Sequence, residues 1–322
     1  MGPIVSTVIV NHNSGHYLRS CLESLYAQTF RKFEVIVIDN ASHDGSLDCL
    51  ARFPAVQIIR AKSNLGFARA QNIGMRSAKG RYLMPLNFDI VLTDTFLQEM
   101  VHAVEQSEHI GSVSGRLLQM SPNGKRTQRI DNAGLLLPRN RFPVHRGADE
   151  IDRGQYGRPV LVFGAMGAAA LYRREMLEDI AYREQFFDES YFMWYEDIDL
   201  EWRARLRGWD CLYTPDAVAY HVGDPFGHGR SSFGARIGIR NRWRMILSNE
   251  CPHCALRSAP WLIAEELALL KHVIRRGLVK SYLQAVASFL ASVPSTLTKR
   301  RWVRGTAKPK CLPDYPMSVE GS

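Results

Sequence analysis

The chain predicts an α/β fold: a mostly parallel sheet flanked by helices, followed by a helical, basic C-terminal extension. Short apolar, β-branched runs alternate with segments of helical period up to residue 115. Clusters of Gly, Asn, Asp and Ser punctuate the changes. From Phe233 onward, helical spacing and Lys/Arg dominate. Strands separated by helices imply parallel β-α-β units with right-handed crossovers.

Ile4–Val10 is a continuous apolar run that suits a buried strand, and Asn11-His12-Asn13-Ser14-Gly15 breaks it. Leu18, Leu22 and Leu25 then recur at helical spacing. Phe33–Ile38 is a second strand, stopped at Asp39-Asn40-Ala41-Ser42. A short helix over Leu47–Phe53 leads to a strand at Val56–Ile59. Phe67–Ala78 reads as a helix stopped by Gly80, and Tyr82–Leu86 as a strand ending at Asn87-Phe88-Asp89. Phe96–Val104 is helical, and Gly111–Gly115 begins another strand. Residues 120–160 are rich in Arg, Gly, Pro and Asn with little periodicity, which reads as a long, mobile excursion over the open side of the sheet domain. Ile198, Trp202, Leu206 and Trp209 mark one face of a helix that Gly208 ends, and Cys211–Tyr213 and Ala217–Tyr220 read as closing strands.

At 322 residues, 46% hydrophobic and 23% charged, the chain has the composition of a folded protein able to bury a core. Its net charge of +9 favours anionic partners such as nucleotides, phosphates or lipid headgroups. No recognised nucleic-acid module is present, so nucleic acid is not an expected partner. The N-terminus enters the first strand directly, and no apolar run approaches the roughly twenty residues of a membrane span. The expectation is a cytoplasmic protein, peripheral on the inner face of the cell membrane. The cysteines are scattered, which fits a reducing compartment better than a disulfide framework. Cys251-Pro-His-Cys254 has the spacing of half a zinc site, but no second pair answers it.

The acids carry the chemistry. In open parallel sheets ligands bind beyond the carboxyl ends of strands, where Asp39 and Asp89 fall. Asp39 there could accept hydrogen bonds from a ribose or base, or could cap a turn. Gly66, in Asn64-Leu65-Gly66-Phe67, permits close backbone approach before a helix N-terminus that could face an anion. Asn72 and Gly74 are poor helix formers inside a predicted helix, which points to close packing or a polar contact. Glu196, Asp197 and Asp199 could be first-turn acids complementing a helix dipole. Their aromatic company (Tyr191, Phe192, Trp194, Tyr195 and Trp202) also suits a base whose pKa is raised by reduced solvent access. His221, at a strand exit, is either a packed core residue or a metal or phosphate ligand.

These motifs, in this order, resemble glycosyltransferase family 2, and most of all its rhamnosyltransferase-like branch. Ile36-Val37-Ile38-Asp39, Asn64-Leu65-Gly66-Phe67 with Asn72 and Gly74, Leu86-Asn87-Phe88-Asp89, and Phe187-Asp188-Glu189 with Glu196-Asp197-x-Asp199-Leu200 carry the likeness across residues 4–250. The resemblance implies a GT-A, Rossmann-like fold, a nucleotide-sugar donor, Mg²⁺ or Mn²⁺, inversion at the anomeric carbon and a glycan or lipid-linked glycan acceptor. It implies a metal-binding role for Asp89, with His221 beside the metal or pyrophosphate. Asp197 would be the general base and Glu196 would position the acceptor or the base. Asp39, Asn64, Gly66, Asn72 and Asn87 would line the nucleotide-sugar pocket, and Arg240 and Asn241 would lie near the diphosphate. The chain departs from the family in Asn87-Phe88-Asp89, which has one carboxylate and no turn-setting proline. That departure sustains an alternative, a non-catalytic nucleotide-sugar-binding or assembly subunit. A dinucleotide oxidoreductase would need a Gly-x-Gly-x-x-Gly turn after the first strand, and the turn here is Asn11–Gly15.

The expected organisation is a glycosyltransferase domain over residues 1–250 and a basic helical extension over 251–322. Within the extension, Ser281–Thr298 carries no charge and places Leu283, Val286, Leu290, Val293 and Leu297 at helical spacing. Lys271, Arg275, Arg276 and Lys280 precede it and Lys299-Arg300-Arg301 follow. Residues 271–301 therefore suit either an anionic membrane surface or packing on the catalytic domain.

Overall fold

Each apolar run predicted as a strand enters one sheet. The computed structural model describes residues 2–223, 225–227 and 231–308. The strands are β1 (Val5–Asn11), β2 (Phe33–Asp39), β3 (Gln57–Arg60), β4 (Tyr82–Leu86), β5 (Ile90–Leu92), β6 (Ile110–Met120), β7 (Arg126–Asn132), β8 (Leu135–Leu136), β9 (Val144–His145), β10 (Val160–Val162), β11 (Ala170–Arg173) and β12 (Asp210–His221). The helices are α1 (Tyr17–Tyr26), α2 (Phe67–Ser77), α3 (Phe96–Val104), α4 (Arg174–Asp179), α5 (Glu196–Arg207), α6 (Ser232–Asn249), α7 (Pro252–Arg275) and α8 (Val279–Thr306). Ser46–Arg52 and Glu189–Tyr191 form 3₁₀ turns.

The main sheet runs β10-β12-β6-β11-β4-β1-β2-β3, with β5 on β12 and β7 on β6. The β3-β2-β1-β4 portion is parallel, as the β-α-β reading requires, and so is β6 with β12. Antiparallel β11 joins the two portions. Helices α1 and α3 cover one face around Leu22, Phe96 and Met100, and α2, α4 and α5 cover the other around Met75, Met176 and Leu200. Gly74 lets α2 lie on β1, since a Cβ there would sit 2.3 Å from Val8 Cγ1. Gly208 ends α5 in the left-handed conformation, at φ 87°.

Three expectations need correction. Residues 120–160 are not a structureless excursion: β7 pairs antiparallel with β6, and β8 with β9. The two closing strands are one, β12, interrupted by a register shift between Tyr213 and Val218. Lys299 does not belong to a solvated cationic rim, because it is buried at 3% side-chain exposure and ion-paired. Of the cysteines, Cys21 and Cys211 are buried thiols, Cys49 is half-buried, and Cys251 pairs with Cys254. Cys311 lies outside the described residues.

Helix α8 returns to the sheet domain: Val303 joins Trp202 of α5 and Met245 of α6 in one buried cluster. A second cluster, Ile239, Val273 and Ala285, ties α6, α7 and α8 together.

Candidate active site

The sheet register places Asp89 and His221 together. Asp89 follows β4, and His221 ends β12 opposite Ile90, the residue after Asp89. The Val222 N–H donates to the Asp89 carbonyl at 3.2 Å, which fixes the two backbones. His221 Nε2 then lies 3.5 Å from Asp89 Oδ2, and Nδ1 lies 2.8 Å from Oδ2 of Asp131 on β7. Burial alone would lower the His221 pKa, but the Asp89 charge and hydrogen bonds to both acids outweigh it and push it up to about 10. Burial works to raise Asp131, yet the His221 hydrogen bond and the His221 and His145 charges leave it below the usual carboxylate value.

This trio fits a divalent cation. Asp131 holds Nδ1, so Nε2 faces the Asp89 carboxylate, the arrangement in which an acid orients a histidine ligand from behind. Asp89 and His221 would offer a cation one carboxylate oxygen and one imidazole nitrogen.

Asp197 belongs to the same end of the sheet. The Gly167 N–H donates to Asp197 Oδ2 at 2.9 Å, and the neighbouring Ala168 carbonyl accepts the Asn87 N–H at 2.8 Å. Asn87 is two residues from Asp89, so Asp197 and the Asn87–Asp89 turn are both tied to the Gly167-Ala168 segment. His145, on β9, exerts its charge on both Asp197 and Asp131. Burial raises the Asp197 pKa, partly offset by the Gly167 and Ile198 N–H groups. Glu196 is more deeply buried and is raised well above its usual value by burial and then by the Asp197 charge. Its Oε2 has no hydrogen-bond partner. A half-buried acid with two backbone donors stands beside a more deeply buried one that burial and the neighbouring charge shift further towards its neutral form.

One turn further along α5, Glu201 accepts from the Ala165 N–H and the Ser112 hydroxyl, both at 2.9 Å. Burial is the main cause pushing its carboxyl from 4.5 to about 7. Between those values the folded protein retains a proton that the unfolded chain has released, so stability falls as pH rises through the window, by ~3 kcal/mol. Glu201→Gln is expected to remove this slope and to be the more stable form above the window. Urea unfolding across pH 4.5–7 measures it, and an unchanged slope in the variant would count against the assignment.

The other predicted residues have structural duties. Asp39 ends β2 on the same carboxyl edge, and its Oδ1 accepts the Ser42 N–H at 3.0 Å. Asn64 Oδ1 accepts from Gly66 N and from Asn40 Nδ2, which fixes the loop before α2. Gly66 (φ 78°) makes a close approach, but to Phe192: a Cβ would lie 2.4 Å from its ring. The Phe192 carbonyl also takes the Ala68 N–H, the place at the start of α2 where an anion was expected. Asn72 is fully buried, bonding both the N–H and the carbonyl of Phe187 and reaching Glu189. Asn241, also fully buried, donates to the Tyr191, Met193 and Trp194 carbonyls, and Arg240 donates to those of Ser190 and Tyr191. These side chains brace the segment leading into Glu196, in which Phe192, Trp194 and Tyr195 adopt φ of 68°, 64° and 69°. Left-handed backbone at bulky residues costs ~1–3 kcal/mol each and persists only when its surroundings enforce it.

Sequence reasoning missed Asp131 and His145, because both lie in the stretch without periodicity. It also missed Lys299. Nζ of Lys299 lies 2.7 Å from Asp188 Oδ2 and 2.7 Å from Asp199 Oδ1. Burial works to raise both acids, but the Lys299 charge, aided by Arg244 at Asp188 and Arg203 at Asp199, holds both below the usual carboxylate range.

The sheet, its helices and the acids at its carboxyl edge define the GT-A glycosyltransferase architecture. The chain belongs to glycosyl transferase family 2, whose profile matches residues 6–181. It is 29% identical over 119 residues to an uncharacterized glycosyltransferase of Haemophilus influenzae, covering 36% of this chain and only 37% of that relative. It is 25% identical over 303 residues to the N-acetylglucosaminyl-diphospho-decaprenol L-rhamnosyltransferase of Mycobacterium tuberculosis, covering 86% and 94% of the two chains. In fold it is similar to GalNAc-T7, solved with UDP, GalNAc and Mn²⁺, at a TM-score of 0.62 and 18% identity over 76% of this chain and 48% of that one.

Proposed function

We propose that the protein is an inverting, cation-dependent glycosyltransferase that moves a sugar from a nucleotide-sugar donor to a hydroxyl of a glycan or lipid-linked glycan in cell-surface polysaccharide synthesis. The anchoring of Asp197 and of the turn that carries Asp89 to the one Gly167-Ala168 segment, with His221 beside Asp89, supports this reading. The mycobacterial relative suggests rhamnose as the sugar and a lipid diphosphate on the acceptor. Asp89 and His221 would hold the divalent cation, which would supply positive charge against the departing nucleoside diphosphate. Asp197 accepts the proton of the attacking hydroxyl on the opposite face of the sugar. Asp131 keeps His221 oriented, and the braced 187–195 segment keeps Asp197 in place. The imidazole nitrogen favours Mn²⁺ over Mg²⁺, which prefers oxygen ligands.

Thermal-shift titration with nucleoside diphosphates and nucleotide sugars tests the reading. Mn²⁺ and nucleotide together are expected to raise the melting temperature more than the sum of either alone, and His221→Ala to abolish that synergy. Equal shifts with and without Mn²⁺ would remove the cation from the scheme.

The acceptor reading extends to a membrane surface. On α8, Leu283 and Leu290 are each 61% exposed, with Leu297 on the same stripe. On α7, Ile263, Leu267 and Ile274 are comparably exposed. Lys271, Arg275, Arg276, Lys280 and Arg301 surround these stripes. Among the described residues no helix is long and apolar enough to cross a membrane. An exposed apolar stripe with cationic flanks instead suits the headgroup layer of an anionic leaflet. Vesicles rich in phosphatidylglycerol are expected to carry the protein upward in flotation, and Leu283→Glu with Leu290→Glu to abolish this. Point variants are needed because truncation would also remove buried Lys299. Equal flotation of wild type and variant would refute the surface.

A further inference from the structure

Cys251-Pro252-His253-Cys254 lies at the junction of α6 and α7. We propose that Cys251 and Cys254 are a reversible redox site: a disulfide opened and closed by exchange with a glutathione-type thiol. The two residues are bonded through sulfur, with Cα atoms 5.1 Å apart. Cys251 is the N-cap of α7 and Pro252 opens the helix. The Cys254 N–H donates to Cys251 Sγ at 2.9 Å. A bridge spanning three positions constrains the unfolded chain little, so its chain-entropy gain is small and it has little value as a structural staple. Its place at a helix N-terminus does favour exchange, because the backbone donors and dipole there stabilise a thiolate.

Unequal exposure sets the direction of attack. Cys254 is half-buried and Cys251 is buried. An external thiolate therefore attacks Cys254 Sγ, the S–S bond breaks, and its electron pair leaves on Cys251 Sγ beside the Cys254 N–H. A second external thiolate attacks the outer sulfur of the mixed disulfide and releases Cys254 as a thiolate. Both thiolates take up protons from water; the protein gains two electrons and two protons, and the two small thiols leave as their disulfide. Oxidation is the reverse, with oxidised glutathione as electron acceptor.

The neighbourhood links the site to the catalytic body. Glu250 Oε1 accepts the Cys251 N–H at 3.1 Å, and Oε2 pairs with Arg141 Nε at 2.5 Å. The Arg141 guanidinium lies 5.4 Å from the ring centre of Trp202 on α5, the helix that carries Glu196 and Asp197. Opening the bridge loosens the first turn of α7, the helix that carries the exposed Ile263, Leu267 and Ile274.

The test uses the full-length protein in glutathione buffers from reduced to oxidised, trapped with a maleimide and read by mass spectrometry. The doubly alkylated fraction at residues 251 and 254 is expected to fall ~10-fold or more across the series. Cys21 and Cys211 are expected to stay unlabelled without denaturant. Cys251→Ser is expected to accumulate a glutathione adduct on Cys254, and Cys254→Ser far less on Cys251. Hydrogen exchange in the first turn of α7 is expected to quicken on reduction. The proposal is overturned if both thiols stay alkylatable in oxidised buffer, or if the bridge resists reduction until the protein unfolds. It is also overturned if Zn²⁺ protects the reduced thiols while oxidised glutathione does not close them, because Glu250, Cys251 and Cys254 would then be ligands.

Discussion

Asp197→Asn is expected to lower the transfer rate by ~10²–10⁴-fold, the usual worth of a general base. Nucleoside diphosphate and Mn²⁺ should bind the variant with nearly unchanged affinity. The amide oxygen can still accept the Gly167 N–H, so the contact tying α5 to the Asp89 strand survives. What disappears is the capacity to take a proton. Because burial raises the Asp197 pKa, the wild-type rate should climb with pH through a range above that of ordinary aspartates, as the base form appears. The residual activity of the variant should lack that limb. Full activity in Asp197→Asn, or the same limb in both proteins, would assign the base elsewhere. Asn87-Phe88-Asp89, which raised the reading of a non-catalytic subunit, is weighed by the same experiment: a wild type with no transfer and no donor hydrolysis under Mn²⁺ would favour the subunit.

Lys299→Ala is expected to destabilise the protein by ~3–5 kcal/mol, because it strips a cation from two buried carboxylates. Asp188 and Asp199 are held below the usual range in the native protein, so their contribution is present above that range and is lost as pH falls through their native pKa values. The variant should therefore be less stable near neutral pH and should lose less on acidification. Urea unfolding at two pH values measures both effects. Pairing Lys299→Ala with Asp188→Asn should recover part of the loss, since one uncompensated charge goes with it. A loss below ~1 kcal/mol would show that Arg203 and Arg244 suffice.

The parallel half of the sheet is legible in the sequence because buried strands write themselves as short, mostly apolar and β-branched runs. Ile4–Val10, Phe33–Ile38 and Tyr82–Leu86 are of this kind, and Phe96–Val104 is a helix with the bounds its periodicity gives. Strand β7 is hidden for the opposite reason. It exposes Arg126, Gln128 and Arg129, so no apolar alternation marks it. Strands β8 and β9, of two residues each, are too short to show a period. Asp131 and His145 were lost with them. Asp89, Asp197 and His221 could be picked out because each sits at an element end, where a polar residue interrupts an apolar pattern. Asn72 and Gly66 were noticed as misfits, and misfits they are, but their partners are Phe187 and Phe192, more than a hundred positions away in the chain. A single sequence shows that a residue is out of place without showing what it holds.

The Lys299 bridge also bears on synthesis. The ribosome releases the polypeptide from its first residue onward, so Asp188 and Asp199 emerge long before the lysine that neutralises them. Until that late helix docks, the turn in front of Asp197 lacks one of its anchors. A polypeptide that ends before residue 299 is therefore expected to hold that turn less firmly than the full-length protein does.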